Sequence, residues 1–396
     1  MSRPLVPVAT TAAAPVPSSR LPGVGTTIFT VMSQLALEHD AINLAQGFPD
    51  FEPPARLREL VGVHASSGHN QYAPMAGALP LREAIARKLA RHYRRAASPD
   101  TEITVTCGGT EALAVAIQAV VHPGDEVVLL DPAYDSYEPI VHLAGGTTRR
   151  VPLARPGFAV DFDRLAGALS PRTRLVIVNT PHNPSGACIP AAELDRLADL
   201  LRPTGAFVLA DEVYEHIVFD GERHASLNAH PELAARSFVV SSFGKTYHAT
   251  GWKIGYCVAP PVLTAEFRKV HQYVTFSIAS VLQHAIADYM TEHPEWEAEL
   301  PAFYQERRDR LAGLLRGSRL RWTPARATYF QLVDYSAVAD EPDTVFAQRL
   351  LREHGVVTIP ISPFSAAPPA AERLVRLCFA KGDATLAAAA ARLCAI

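Results

Sequence analysis

Lysine is the scarce residue of this 396-residue chain. It occurs five times, at Lys88, Lys245, Lys253, Lys269 and Lys381, against 32 arginines. Arginine serves for surface charge and for binding anions, but it cannot shed its proton and act as a nucleophile. Each lysine is therefore a candidate for a task arginine cannot do. Cysteine is also sparse: positions 107, 188, 257, 378 and 394 are dispersed and contain no C-x-x-C pair. That pattern excludes a zinc knuckle or a redox dithiol and suggests reduced, core-like thiols in a cytoplasmic protein. No run of 18 apolar residues occurs, so no membrane helix is expected. A net charge of −3 gives no basic surface for nucleic acid. Neither G-x-G-x-x-G nor a Walker G-x-x-x-x-G-K-[ST] motif is present.

What the chain has in quantity is apolar sequence, 48% by count with 19% charged. This suits a large buried core in more than one domain. Residues 1–20 are rich in Pro, Ala, Ser and Thr and read as a flexible arm. From about residue 100, short apolar runs alternate with helical patterns. Strands are expected at 103–107, 126–130, 174–179, 206–211, 237–242 and 253–259, with helices at 110–121 and 191–201. Continuous Val/Ile/Leu runs separated by helices imply a largely parallel sheet covered on both faces. Its ligands would lie beyond the carboxyl ends of the strands. After about residue 300 the pattern changes to α+β: a long helix, short strands, a helix near 343–354 and a final Ala-rich helix.

Chemistry-bearing residues gather at the strand ends. AFVLA runs into Asp211-Glu212-Val213-Tyr214, which puts a carboxylate where a ligand would sit. NTPHNPSG (179–186) makes a rigid turn holding Asn183. SSFGKTYHATGWKIGY (241–256) contains two of the five lysines. Cys107-Gly108-Gly109-Thr110 joins a strand to a helix whose first N–H groups are open to an anion. Singly, Asp211 reads equally as a strand-ending or capping residue and Asn183 as a plain turn residue. Together they supply an anion cradle, an amine nucleophile, a carboxylate and an amide, and Tyr134 and Tyr214 lie close by. Pyridoxal phosphate, a phosphorylated aromatic aldehyde that forms a Schiff base, would use every one.

The chain resembles the class I, fold-type I pyridoxal-phosphate-dependent aminotransferases, in particular their methionine and kynurenine aminotransferase branch. The resemblance is carried, in order, by INLAQGFPDFEPP (42–54), HNQYAPMAGALPLREAIA (69–86), TCGGTEAL (106–113), DPAYDSYEP (131–139), NTPHNPSGA (179–187), LADEVYEHI (209–217), SSFGKTYHATGWKIGYCVAP (241–260) and VRLCFAK (375–381). It implies an α/β fold: a large domain with a mainly parallel seven-stranded sheet flanked by helices, plus a smaller α+β domain. The expected division is an arm at 1–20, a small-domain segment at 21–55, a large cofactor-binding domain at 56–300 and a small domain at 301–396.

The resemblance also implies roles. Lys245 would carry the cofactor and shuttle the proton. Asp211 would pair with the pyridine nitrogen. Asn183 and Tyr214 would bond the ring's 3′ oxygen, and Tyr134 would stack on its face. Gly109, Thr110, Ser242 and Lys253 would hold the phosphate, with Tyr72 reaching the phosphate of a partner subunit in a homodimer. Arg376 would grip the substrate carboxylate, assisted by Asn183 and the backbone at Gly47. Phe29, Phe276 and Phe364 are candidates for the side-chain pocket, while His182 and His248 are expected to be structural. The implied reaction is ping-pong transfer of an amino group from methionine, or another apolar or aromatic L-amino acid including kynurenine, to a 2-oxo acid. The same residues would also serve a cysteine-S-conjugate β-lyase.

Overall fold

A computed structural model describes residues 17–396, so most of the arm expected at 1–20 lies outside the described residues. Twelve strands occur among them: β1 (Ile42–Asn43), β2 (Ile103–Thr106), β3 (Glu126–Asp131), β4 (Thr147–Pro152), β5 (Thr173–Asn179), β6 (Phe207–Asp211), β7 (Ser237–Ser242), β8 (Gly255–Val258), β9 (Phe330–Asp334), β10 (Val356–Val357), β11 (Ile359–Pro360) and β12 (Leu374–Cys378).

Seven of these form one sheet in the order β2-β8-β7-β6-β5-β3-β4. Strands β3 to β7 pair in parallel, whereas β8 runs antiparallel to both of its neighbours, β2 and β7. Successive side chains of a strand point to opposite faces. Val127, Leu129, Leu175 and Ile177 therefore meet the helices Gly108–Val120 and Pro261–Val274 on one face. Val128, Leu130, Val176 and Val178 meet Phe162–Ala168 and Ala191–Leu201 on the other. Burial on both faces is why these strands are apolar at every position.

One strand of this sheet escaped the sequence reading. TTRRVP forms β4, and only Val151 within it is buried. It is an edge strand, and charge on an edge discourages pairing with another chain. Its arginines bind locally: Arg149 to Glu126, and Arg150 to Glu138 and Asp131. Two expected boundaries shift as well. The helix expected from 110 begins at Gly108, and the strand expected over 253–259 is confined to Gly255–Val258. All five cysteines are free, but only Cys257 and Cys378 are buried, so the core-like reading fails for Cys107, Cys188 and Cys394. Among the described residues, no helix is long and apolar enough to cross a membrane.

The remaining strands build a second region. β11, β12 and β9 make an antiparallel sheet. The N-terminal segment joins this region, because β1 pairs in parallel with β10. A core including Leu44, Tyr304, Phe330, Phe346, Phe379 and Leu386 packs the long helix Trp296–Leu315 and the C-terminal helix Asp383–Leu393 against it. Arg376 sits centrally in β12, opposite Ile359 on one side and Leu332 on the other.

Candidate active site

A cavity lies where the carboxyl ends of the large sheet face the second region. Asn179 and Asp211 are register partners at the ends of β5 and β6, so they stand at one level. Ser242 ends β7 and leads into a single helical turn, Phe243–Thr246, that projects Lys245. Every residue assigned to catalysis, the cofactor or the substrate carboxylate lines this cavity except Tyr72: Gly47, Gly109, Thr110, Tyr134, Asn183, Asp211, Tyr214, Ser242, Lys245, Lys253 and Arg376.

Asp211 is buried. It accepts a hydrogen bond from the Tyr137 hydroxyl at 2.7 Å and another from the Val213 N–H at 3.3 Å. Burial raises its pKa, and the two donors only partly offset this. A cationic N–H would relieve that carboxylate. Burial likewise lowers the Lys245 pKa to about 8, so far more of the amine is neutral near physiological pH than for an ordinary lysine. Its Nζ lies 5.7 Å from the centre of the Tyr214 ring, and no hydrogen-bond acceptor for it is found among the described residues.

Arg376 is 1% exposed and pairs with no carboxylate among the described residues. Its Nη1 donates to Asn183 Oδ1 at 2.7 Å and its Nη2 to the Ala45 carbonyl at 2.9 Å, leaving Nε without a partner. Its guanidinium lies 3.9 Å from the Phe330 ring centre and 5.2 Å from that of Phe29. A buried guanidinium with open donor capacity and no counter-charge is a site for an incoming carboxylate.

The floor of the cavity is backbone. The helix Gly108–Val120 starts without a side-chain cap, which leaves its first N–H groups open. A Cβ at Gly255 would lie 2.8 Å from the Gly108 carbonyl carbon, so only glycine lets β8 approach the helix start this closely. A Cβ on Gly108 would sit 3.3 Å from the Lys253 amine, which places that cation at the same end. An N-terminal helix cradle, a lysine, and the hydroxyls of Thr110 and Ser242 make a phosphate site. Asp211 and Lys245 beyond it match the ring nitrogen and the aldehyde of pyridoxal phosphate, so the donor set fits that cofactor.

Four contributors were not singled out from sequence. Tyr137 holds Asp211. Asn179 donates to the carbonyls of Asp211 and Pro181, and its Oδ1 accepts from the Asn183 N–H at 2.8 Å, which locks the turn. Tyr329 donates to the Gly47 carbonyl at 2.6 Å and meets Tyr214 edge to face. Phe330 walls the cavity beside Arg376, and a Cβ at Gly47 would come within 2.8 Å of its ring. Asn179 was detectable as the polar residue ending an apolar strand. The other three owe their place to packing alone.

Of the three phenylalanines proposed for the pocket, Phe29 lines it and Phe364 packs edge-on behind Phe29. Phe276 does not line it: it is half exposed and lies against Tyr72, which is 83% exposed. His182 and His248 are buried and bonded to Ser185 and the Pro132 carbonyl, and to Tyr304, respectively. Burial lowers the pKa of each to about 4.

Comparisons with known proteins agree with this chemistry. Residues 39–393 match the family model described as aminotransferase class I and II. A methionine aminotransferase of Escherichia coli is 53% identical over 96% of this chain and 98% of its own length. A crystal structure reported with that activity superposes with a TM-score of 0.94, covering 97% of this chain and 100% of that one. A probable N-succinyldiaminopimelate aminotransferase of Mycobacterium tuberculosis is 40% identical over 95% of this chain and 97% of its own. Human kynurenine–oxoglutarate transaminase 1 is 33% identical over 93% and 95%.

Proposed function

The chain belongs to the class I and II aminotransferases, a pyridoxal-phosphate family, and on that premise we propose that it transfers the amino group of L-methionine, and of other L-amino acids with apolar side chains, to a 2-oxo acid. The observation that carries this reading is one cavity faced by two basic side chains, the partly buried Lys245 and the buried Arg376, neither paired with a carboxylate among the described residues.

In this reading Arg376 binds the substrate α-carboxylate through its open N–H groups, and Asn183 keeps the guanidinium in plane for it. Phe29 and Phe330 offer apolar walls to a thioether or hydrocarbon side chain. Lys245, Lys253 and Arg376 are the cations lining the cavity among the described residues, and all three are committed. When bound, pyridoxal phosphate supplies an aldehyde that condenses with amines and a ring that takes up the electron pair left at the α-carbon. Asp211, held by Tyr137, keeps a proton on the pyridine nitrogen. Lys245 removes the α-proton and returns it, because its lowered pKa makes it a base near neutral pH. Tyr134 covers the ring face and excludes water.

The exposed Tyr72 is assigned in the same reading to the phosphate cradle of a second subunit, which makes the working enzyme a homodimer. The test is the visible absorption of purified protein supplied with pyridoxal phosphate, before and after L-methionine. Conversion of the cofactor band by methionine, and its restoration by a 2-oxo acid, is the expected result. A band that methionine leaves unchanged refutes the substrate, and the absence of any band refutes the cofactor assignment.

A further inference from the structure

Away from the cavity, three histidines from separate segments converge. His64 lies in the last turn of the helix Ala55–Ser66, His69 in the loop that follows, and His284 in the helix Ser280–Glu292. One ring nitrogen from each lies within 4.8 Å of the others. None of the three lines the active-site cavity.

The protonation pattern gives the cluster a direction. His64 Nε2 lies 2.9 Å from Asp288 Oδ2. An ionised carboxylate only accepts, so Nε2 carries the hydrogen and the Nδ1 of neutral His64 presents a lone pair. In the metal-free protein that lone pair accepts a hydrogen bond from His69 Nδ1–H at 2.9 Å, a hydrogen that an ion would replace. The His69 ring stacks on His284, with centres 3.9 Å apart and planes at 19°. The His284 ring makes no hydrogen bond among the described residues, which leaves its nitrogens free for an ion. His64 is buried, whereas His69 and His284 are partly open, which leaves an approach for an ion. The loop is held in place by Asn70, whose side chain donates to the Ala65 carbonyl.

A carboxylate behind a histidine, fixing its tautomer and orienting the opposite nitrogen, is the arrangement that supports metal-bound imidazoles. Zinc bound to nitrogen at about 2.0–2.1 Å in a tetrahedron spaces its ligands about 3.3 Å apart. The His64–His69 gap of 2.9 Å lies just below that value and no gap exceeds 4.8 Å, so an ion would draw the nitrogens together by turning the stacked His69 and His284 rings. We infer that His64, His69 and His284 form a three-histidine site for a late first-row divalent cation, Zn²⁺ foremost, with Asp288 orienting His64 and a fourth position open to water. Nitrogen-only donors favour zinc and its late neighbours over calcium or magnesium. The ion would tie the end of the first helix to Ser280–Glu292.

The experiment uses untagged, cofactor-loaded enzyme freed of metal by a chelator and titrated with Zn²⁺ in a calorimeter. Co²⁺ serves as an optical probe of tetrahedral ligation. One ion per chain is expected, with a raised Tm. His69→Ala combined with His284→Ala should weaken binding at least about 100-fold, and Asp288→Asn about 10–100-fold. The double variant keeps every cysteine and all cavity residues, so its cofactor absorption and methionine turnover should match wild type and report an intact fold. Zn²⁺ uptake and a Tm rise that persist in the double variant would overturn the site. So would wild type that takes up no ion.

Discussion

Two buried carboxylates four residues apart, Asp211 and Glu215, have opposite electrostatic fates. Glu215 accepts from Lys88 at 2.5 Å, from Tyr256 at 3.2 Å, and from Ser241 and Tyr93. Burial by itself would raise its pKa, but the Lys88 ammonium and these donors hold it well below the usual carboxylate range. Asp211 has two neutral donors and no ion-pair partner, and its pKa goes up. The same contrast separates the lysines: Lys88 is paired at 2.5 Å, whereas Lys245 has no partner and is lowered to about 8. All four are withdrawn from water, Lys245 least. What differs is whether the fold itself completes the charge, or leaves that to a ligand.

Substitutions can break this contrast. The largest effect is expected from Lys245→Met, which should abolish methionine turnover by about 10⁴-fold or more in a coupled assay. The same change should stabilise the cofactor-free protein. A lysine with a folded pKa of about 8 against 10.5 unfolded penalises folding wherever it must stay charged in the fold, which is fully so below pH 8. The advantage of the methionine variant should therefore be greatest below pH 8, up to about 3 kcal/mol, and fade as pH rises from 8 to 10.5. Urea titrations across that range check the sign.

Glu215→Gln should do the reverse, costing about 3–5 kcal/mol of stability by leaving the Lys88 charge buried without its partner, while kcat with methionine stays near wild type. A carboxylate with a depressed folded pKa stabilises fully above its unfolded value of 4.5 and loses that contribution as pH falls. The variant should accordingly show a shallower loss of stability in acid than wild type. Arg376→Ala should lower kcat/KM for methionine by about 30–1,000-fold, or about 2–4 kcal/mol, with little loss of Tm, since no carboxylate in the fold depends on it. Tyr137→Phe is the smallest. Losing one hydrogen bond to Asp211 should cost about 1 kcal/mol of cofactor affinity, read as a several-fold rise in the cofactor Kd.

Much of this was legible locally. The apolar runs of β3, β5, β6 and β7 are continuous because helices cover both faces of the sheet. Asp211 stands out because it ends such a run, and Asn183 and Lys245 because they lie in the turns that follow β5 and β7. Strand β4 was not legible, since an edge strand that opens Thr-Thr-Arg-Arg has no apolar signature. Tyr137 and Phe330 were missed because a buried aromatic reads as core wherever it occurs. The histidine cluster was invisible for a different reason: His64 and His284 are 220 positions apart, and only the packing of two helices joins them.

The sequence by itself determined the parallel sheet, the strand-end placement of the polar residues and the family. Periodicity, turn chemistry and motif order are properties of neighbouring residues, and they survive in a one-dimensional reading. Only the tertiary structure decided which buried charges are complete and which are open. It brought Arg376 of β12 and Phe29 of the N-terminal segment over the carboxyl ends of β5 and β6, and gave Glu215 its lysine while leaving Asp211 without a cation. Those outcomes depend on distances between residues far apart in the chain, and the energy of a buried charge is set by those distances rather than by its neighbours in sequence.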